Sequence, residues 1–330
     1  MWVWLDISTH TPTGGSSTLK LGLGDSYDKV TILTKKTRAY IDITKPASTI
    51  GVAGGFFLGL LFYYSHIGMV GQILSDIDTI LFACVTMALA HAASQAMNMA
   101  EDAEMDRNTP HKQNRPIPAG IITEEEARTL AWFALLAAVG RAYIINNQFG
   151  LVVTILAVFG VFYNLDPIRA KERVISVPWQ AVSRGLLMFP AVWAVNGDIM
   201  SPTAWAFGLV MFFYVLGFQN SADLIDRHVD AEYGISTWVV EFGVGQVVII
   251  ASFCTMMIVS VASLGYSLES VSDSIVYTMG ITPLCVVMLY HMAFNTDSVD
   301  ERTGNHPAWT WFYGGMVLTV VLPIIGELWL

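Results

Sequence analysis

Apolar runs of about 20 residues recur along the whole chain, separated by polar segments of unequal length. That is the length an α-helix needs to cross the ~30 Å hydrocarbon core of a bilayer. The runs fall at about 46–66, 79–99, 125–144, 148–164, 177–196, 202–222, 243–265, 273–295 and 308–329. They predict an all-α polytopic membrane protein: a bundle of nine transmembrane helices around a central cavity, with cap loops on one face. The polar connections alternate in length. Those at about 100–124, 165–176, 223–242 and 296–307 are long, whereas the segment Asn196–Ser201 between spans five and six is short. Long polar loops gathered on one face carry function more often than short ones.

Residues 1–40 form a polar tail rich in Gly, Ser and Thr, and residues 41–330 form the membrane domain. The tail has no apolar core followed by a cleavage site, so it does not read as a signal peptide. Within it, residues 27–41 suit either a short basic amphipathic helix on the membrane surface or a tail running straight into the first span.

Composition agrees with the pattern. Hydrophobic residues make up 54% of the 330 and charged ones 13%, against about 25% charged in a soluble domain. The net charge is −10, and its distribution says more than its sum. With the N-terminus cytoplasmic, every Lys and Arg except Arg141 and Arg184 falls on or near the cytoplasmic face. That asymmetry orients the chain, with its N-terminus and long loops inside the cell. No nucleic-acid partner is expected. Cys84, Cys254 and Cys285 lie inside predicted spans without metal-binding spacing and read as small apolar residues.

Two acidic clusters close apolar runs on that face. In the first, His91, Gln95, Asn98 and Asp102 fall on one helix stripe, which Asp106 continues with a modest drift. In the second, Gln219, Asp223, Asp226 and Asp230 repeat the stripe at the end of span six. The two clusters end spans two and six, four spans apart in order, which makes a coarse pseudo-repeat. Ionisable groups here are costly, and grouped carboxylates repel unless a cation lies between them. Mg²⁺ suits such oxygen ligands, usually with phosphate completing the site. The plainer alternative is a set of solvated helix-end aspartates.

Between the clusters, Arg107–Gly120 contains three prolines and presents Lys112, Asn114 and Arg115 beside the first acidic stripe. The prolines and Gly120 predict an extended turn, and the basic residues suit phosphate oxygens. Thr123 with Glu124, Glu125 and Glu126 predicts the N-terminus of the next helix.

These motifs together resemble the UbiA-type intramembrane prenyltransferases over nearly the whole chain. The likeness rests on Asn98, Asp102 and Asp106, on Asn114 to Pro118 with Gly120, and on Asp223, Asp226, Asp230 and Gly234. It implies a polyprenyl diphosphate bound through Mg²⁺ between the clusters, with Asp102, Asp106, Asp223 and Asp226 as catalytic metal ligands. It also implies substrate contacts from Asn98, Lys112, Asn114, Arg115, Tyr163, Arg169, Lys171 and Asp230. Two positions depart from the family pattern: Met99 stands where many members carry Asp, and no Lys lies between Gly234 and Thr237.

The expected reaction is Mg²⁺-dependent transfer of the prenyl group to a small acceptor in the membrane. The spacing from Asp106 to Asn114 resembles members that prenylate aromatic acids such as 4-hydroxybenzoate. The spacing from Asp230 to Gly234 and Thr237 is nearer those acting on glycerol-phosphate lipids. The acceptor stays open between them, leaning to the aromatic class. A terpene cyclase on the same scaffold and a non-enzymatic cation transporter are the rivals. Arg184, about two turns inside span five, faces either substrate or a buried partner. Arg141 is expected to snorkel to the outer interface, and Tyr290 and His291 to be buried hydrogen-bonding residues.

Overall fold

The computed structural model describes residues 24–109, 112–300 and 305–329. Residues 1–23 of the polar tail, Lys20 among them, Pro110 and His111 of the loop, and Arg302 lie outside these. The described chain is almost entirely helical. Its one β feature among those residues is an isolated bridge between Asp300 and Asn305.

The order is α1 (Gly24–Asp42), α2 (Pro46–His66), α3 (Ile77–Glu101), α4 (Ala103–Asn108), α5 (Glu124–Ile145), α6 (Asn147–Asn164), α7 (Ser176–Gln180), α8 (Met188–Ala194), α9 (Pro202–Phe218), α10 (Asp223–Glu232), α11 (Trp238–Tyr266), α12 (Thr282–Phe294) and α13 (Pro307–Trp329). Eight helices among the described residues are long and apolar enough to cross a membrane. The chain is an integral, multi-pass membrane protein.

Local chemistry explains where these helices begin. Pro46, Pro202 and Pro307 open α2, α9 and α13, where a missing N–H costs nothing. Thr123 caps α5 as expected: Glu126 N donates to Thr123 Oγ1 at 3.1 Å, and Thr123 N donates to Glu126 Oε2 at 2.8 Å. Asn146 Oδ1 caps α6 by accepting from Phe149 N at 2.9 Å. In α11, Gly243 adopts φ 76 and turns the chain just where the sequence predicts the span to begin.

The expected fifth span, 177–196, is not one continuous α-helix. It folds as α7, a π-helical stretch Ala181–Leu186, and α8. Pro190 has no N–H to return to the Leu186 carbonyl, which breaks the helical ladder. That carbonyl instead abuts Gly208 of α9, while Gly185 abuts the backbone of Met211 and Phe212. A Cβ at either glycine would collide with the facing backbone, so the two glycines permit the contact.

The buried apolar residues of the described chain form three clusters, two of which frame the bundle's ends. At the end of the bundle remote from the acidic clusters, Phe62 packs edge-on against Trp193 at 5.4 Å and Phe207 at 4.7 Å. Lipid tails are as apolar as these rings, so dense packing is what favours the contact. From the acidic end onward, α3 and α5 meet along small residues, with Ala127, Ala131, Ala134, Ala138 and Ala142 buried along the length of α5. Such stripes let helix backbones approach closely.

Of the two forms open to residues 27–41, a helix is present as α1. Its last turn buries Ala39 against the cluster at the acidic end, while Lys36 and Tyr40 donate to Glu126 at 2.6 and 3.1 Å. Two expectations are corrected. Arg141 reaches across to α3, donating to Thr86 Oγ1 and the Phe82 carbonyl and lying 3.6 Å over the Phe82 ring. Tyr290 is 55% exposed and packs on Phe294, because it occupies the outward face of α12. The three cysteines are buried and free.

Candidate active site

Asp102 stands at the joint where α3 gives way to α4, and its N–H still donates to the Asn98 carbonyl at 3.0 Å. The first stripe therefore continues across a small break. Asp106, on α4, is 1% exposed. Its Oδ2 accepts from Arg115 Nη1 at 2.6 Å, while Oδ1 is buried with no hydrogen-bond partner.

Arg115 comes from the proline-containing loop, which is a compact series of turns rather than an extended one. The Pro116 carbonyl accepts from Ile121 N at 3.0 Å, and buried Ile117 and Ile122 anchor the loop to the core. Asn98 is half-buried one turn before Asp102, whereas Asn114 is exposed at the loop's surface.

The segment after α6 closes the first cluster. Lys171 donates to Asp102 Oδ1 in an ion pair whose two members are largely buried. Arg169, in a left-handed conformation, donates to Glu172 Oε1 at 2.6 Å and lies 4.0 Å from Glu101. Glu101 also accepts from Arg128 Nε at 2.7 Å. The sequence pattern did not single out Glu101, since it lies off the acidic stripe.

Asp223, Asp226 and Asp230 share one face of α10 within electrostatic range of one another. Among the described residues none of the three forms an ion pair, while their neighbour Arg227 pairs with Asp297. Lys112, from the loop of the first cluster, lies within electrostatic range of Asp230. Tyr163, near the end of α6, lies within electrostatic range of Asp102 of the first cluster, Asp223 of the second and Arg184. Gln180 Nε2 donates to its hydroxyl at 3.2 Å. The residues expected from both clusters thus surround one region.

The stretch lacking the family's Lys is used structurally. Ser236 N donates to the Glu172 carbonyl at 3.0 Å, and Trp238 Nε1 donates to the Val174 carbonyl at 2.6 Å. This ties the second cluster's loop to the segment that carries Lys171.

Lys45 was visible in the sequence only as a charge before the first span. It is half-buried beside Asp102, Asp106, Arg115 and Arg184. Burial, then the neighbouring Arg115 and Arg184, pushes its ammonium down to about 8.

The donor set bears on whether a divalent cation fits. No three acidic, His or Cys groups among the described residues already stand at metal-binding distance from one another. The buried, unpartnered Asp106 oxygen and the three mutually repelling carboxylates of α10 are nonetheless the hard oxygen donors that Mg²⁺ favours.

The UbiA prenyltransferase family model matches residues 50–323. The chain belongs to this family. It is 33% identical over 133 residues to a protoheme IX farnesyltransferase of Archaeoglobus fulgidus, a match covering 40% of this chain and 42% of that protein. It therefore spans less than half the length of that relative. A digeranylgeranylglyceryl phosphate synthase of Methanopyrus kandleri is 25% identical, covering 69% of this chain and 79% of the relative. The solved structure of an Archaeoglobus fulgidus UbiA homologue bound to GPP and Mg²⁺ superposes with a TM-score of 0.63 at 17% identity. It covers 88% of this chain and 100% of that one. At that identity the likeness is one of fold. The UbiA fold accounts for the helical bundle.

Proposed function

We propose that this family member is an Mg²⁺-dependent prenyltransferase. In this reading it moves the prenyl group of an allylic polyprenyl diphosphate onto a small acceptor, an aromatic quinone precursor or a glycerol-phosphate lipid. The carrying observation is that one segment joins the two clusters. Lys171 pairs with Asp102 of the first, and the adjoining Glu172 carbonyl accepts from Ser236 N of the second cluster's loop at 3.0 Å, with Tyr163 within electrostatic range of Asp102 and Asp223. The N-terminus and the loops bearing the site lie on the cytoplasmic side, following the distribution of Lys and Arg.

Asp102, Asp106, Asp223 and Asp226 would hold Mg²⁺, directly or through water, with Asp230 and Asn98 supporting them. When bound, the metal supplies charge stabilisation to the leaving diphosphate. Lys112, Arg115, Arg169 and Lys171 add fixed positive charge for the phosphate oxygens, with Asn114 at the loop edge. The allylic C–O bond breaks, and its electron pair leaves with the diphosphate. The acceptor's electron pair forms the new bond at the freed carbon, and the acceptor loses a proton. Tyr163 and the apolar helix faces hold the reacting carbon away from water.

The test combines purified protein, Mg²⁺ and geranylgeranyl diphosphate with and without acceptors, read by mass spectrometry. Prenylated acceptor, lost when Asp102 and Asp226 are both replaced by Ala, is the expected result. A cyclic hydrocarbon released from donor alone would instead identify a cyclase. Unchanged diphosphate turnover in the double variant would remove the acidic clusters from the reaction.

A further inference from the structure

Glu101 is the last residue of α3 and lies beside Asp102 in sequence but off the acidic stripe. A carboxylate at a helix C-terminus meets the negative end of the helix dipole, so it needs positive partners to stay there. Glu101 has two. Its Oε1 accepts from Arg128 Nε of α5 at 2.7 Å, and its Oε2 lies 4.0 Å from Arg169 Nη1. Arg169 Nη2 also donates to the Glu101 carbonyl at 3.5 Å.

Both arginines hold a second acid, and the contacts run on as a ladder of alternating charge. Arg128 Nη2 is 3.6 Å from Glu124 Oε2, and Arg107 Nη2 donates to Glu124 Oε1 at 2.8 Å. At the other end, Arg169 Nε donates to Glu172 Oε1 at 2.6 Å. The ladder shadows the first half-site along the chain: Glu101 adjoins Asp102, Arg107 adjoins Asp106, and Glu172 adjoins Lys171. One residue of each pair belongs to the clamp and its neighbour to the frame around it. Glu101 is the least exposed rung, its side chain 14% exposed against 25% to 47% for the others. Exposed ion pairs contribute little, so the frame holds most firmly at its middle.

What it holds is the turn Ala170–Glu172, which carries Lys171 and starts from Arg169 at φ 40. A residue other than glycine keeps that conformation where its surroundings impose it. Here Arg169 N donates to the Leu165 carbonyl at 2.8 Å, Ala170 is fully buried, and Glu101 and Glu172 both grip the guanidinium. Glu172 belongs to the turn itself, so its pairing ties the turn to nothing else. Glu101 ties it to the end of α3, where Asp102 stands.

We propose that Glu101 is a positioning residue for the transfer reaction: acting through Arg169, it fixes the turn that brings Lys171 to Asp102. This rests on the transferase reading and adds to it a residue that touches neither metal nor substrate. A carboxylate of the right reach at position 101 presents Lys171 already set for the donor's phosphate, rather than leaving the turn to find its place on binding.

The experiment uses full-length protein in detergent or nanodiscs with fixed Mg²⁺. Donor affinity is read by titrating geranylgeranyl diphosphate against melting temperature, which needs no acceptor. Glu101→Gln is expected to weaken donor binding about fivefold, and less than about twofold when Lys171 is already Met, because residues acting as one unit are not additive. Glu101→Asp keeps the charge with a shorter reach. It should lose less than Glu101→Gln, again only while Lys171 is present, and it carries the same comparison where Glu101→Gln does not fold. Glu124→Gln, on the exposed arm of the ladder, should leave donor affinity within about twofold of the natural protein.

An equal loss with and without Lys171 overturns the proposal, since a residue serving only the fold would act in both backgrounds. Donor affinity unchanged beside a lowered melting temperature overturns it as well. Failure of the transferase reading itself appears separately, as donor turnover insensitive to loss of Asp102 and Asp226.

Discussion

The two acidic clusters look alike in sequence and differ in electrostatic circumstance. On the first, Asp102 and Asp106 each hold a basic partner, Lys171 and Arg115, delivered by flanking loops. On the second, Asp223, Asp226 and Asp230 face one another without an ion pair among the described residues. One half is already balanced within the protein, whereas the other gathers carboxylates whose mutual repulsion a bound cation or a proton relieves. A matching motif therefore does not mean matching surroundings: the first half brings basic side chains together with its acids, and the second gathers acids without an ion pair among the described residues.

The sharpest way to break this contrast is to neutralise the second half. Asp226→Asn should reduce Mg²⁺-dependent product formation by about a hundredfold or more, as loss of a preorganised electrostatic group does. Thermal stability should hold or rise, since a repulsion is removed. A clear loss of stability would show that these carboxylates are held by partners after all.

Asp106→Asn tests the balanced half. Removing the charge leaves Arg115 only partly solvated, and the expected cost is about 1–3 kcal/mol of stability together with lower activity. Chemical or thermal unfolding in detergent measures it. An effect as small as that of an exposed pair would place Asp106 outside the half-site's framework.

Lys171→Met should weaken donor binding by about tenfold, the range seen for groups that support a metal site from outside it. Kinetics at varied donor concentration read this. If KM for donor is unchanged, Lys171 serves only to hold Asp102.

A smaller effect concerns pH. Lys45 titrates near 8 in the folded chain and at its ordinary value near 10.5 when unfolded. Between those values the unfolded chain binds the extra proton, so this residue's contribution to stability rises with pH. The difference in melting temperature between the natural protein and Lys45→Met should therefore change across pH 8 to 10.5, in favour of the natural protein as pH rises. A constant difference would mean that Lys45 is solvated.

The smallest effect expected is at Thr123, whose hydroxyl caps α5 beside the first half-site. Thr123→Ala should cost about 1 kcal/mol with the two acidic clusters otherwise functioning. A melting-temperature series resolves it, and Thr237, which caps α11 after the second half-site by accepting from Val240 N at 3.4 Å, gives the matching comparison.

Much of this was legible in advance. Apolar runs located the membrane helices because the bilayer demands a length that few other segments share. The i, i+4, i+7 spacing placed Asn98 and Asp102 on one face, since helix geometry is local. Span five is the exception. Its apolarity reads as one crossing, but Pro190 and the Gly185–Gly208 approach break it into pieces, and that depends on α9 being adjacent. Tyr290 fell on the wrong side for a related reason: a helix apolar all round gives no sign of which face meets lipid.

The sequence by itself determined the membrane class, the helix ends marked by Thr123, Pro46 and Pro202, and the family to which the motifs belong. These follow from short-range chemistry and from patterns confined to a few turns. Only the tertiary structure decided which cation meets which carboxylate, that Tyr163 lies within electrostatic range of both clusters, and that Lys45 sits beside Asp102, Asp106, Arg115 and Arg184. Charges interact through space over several ångströms irrespective of chain separation, so residues 45 and 184 become neighbours only once the helices between them have packed.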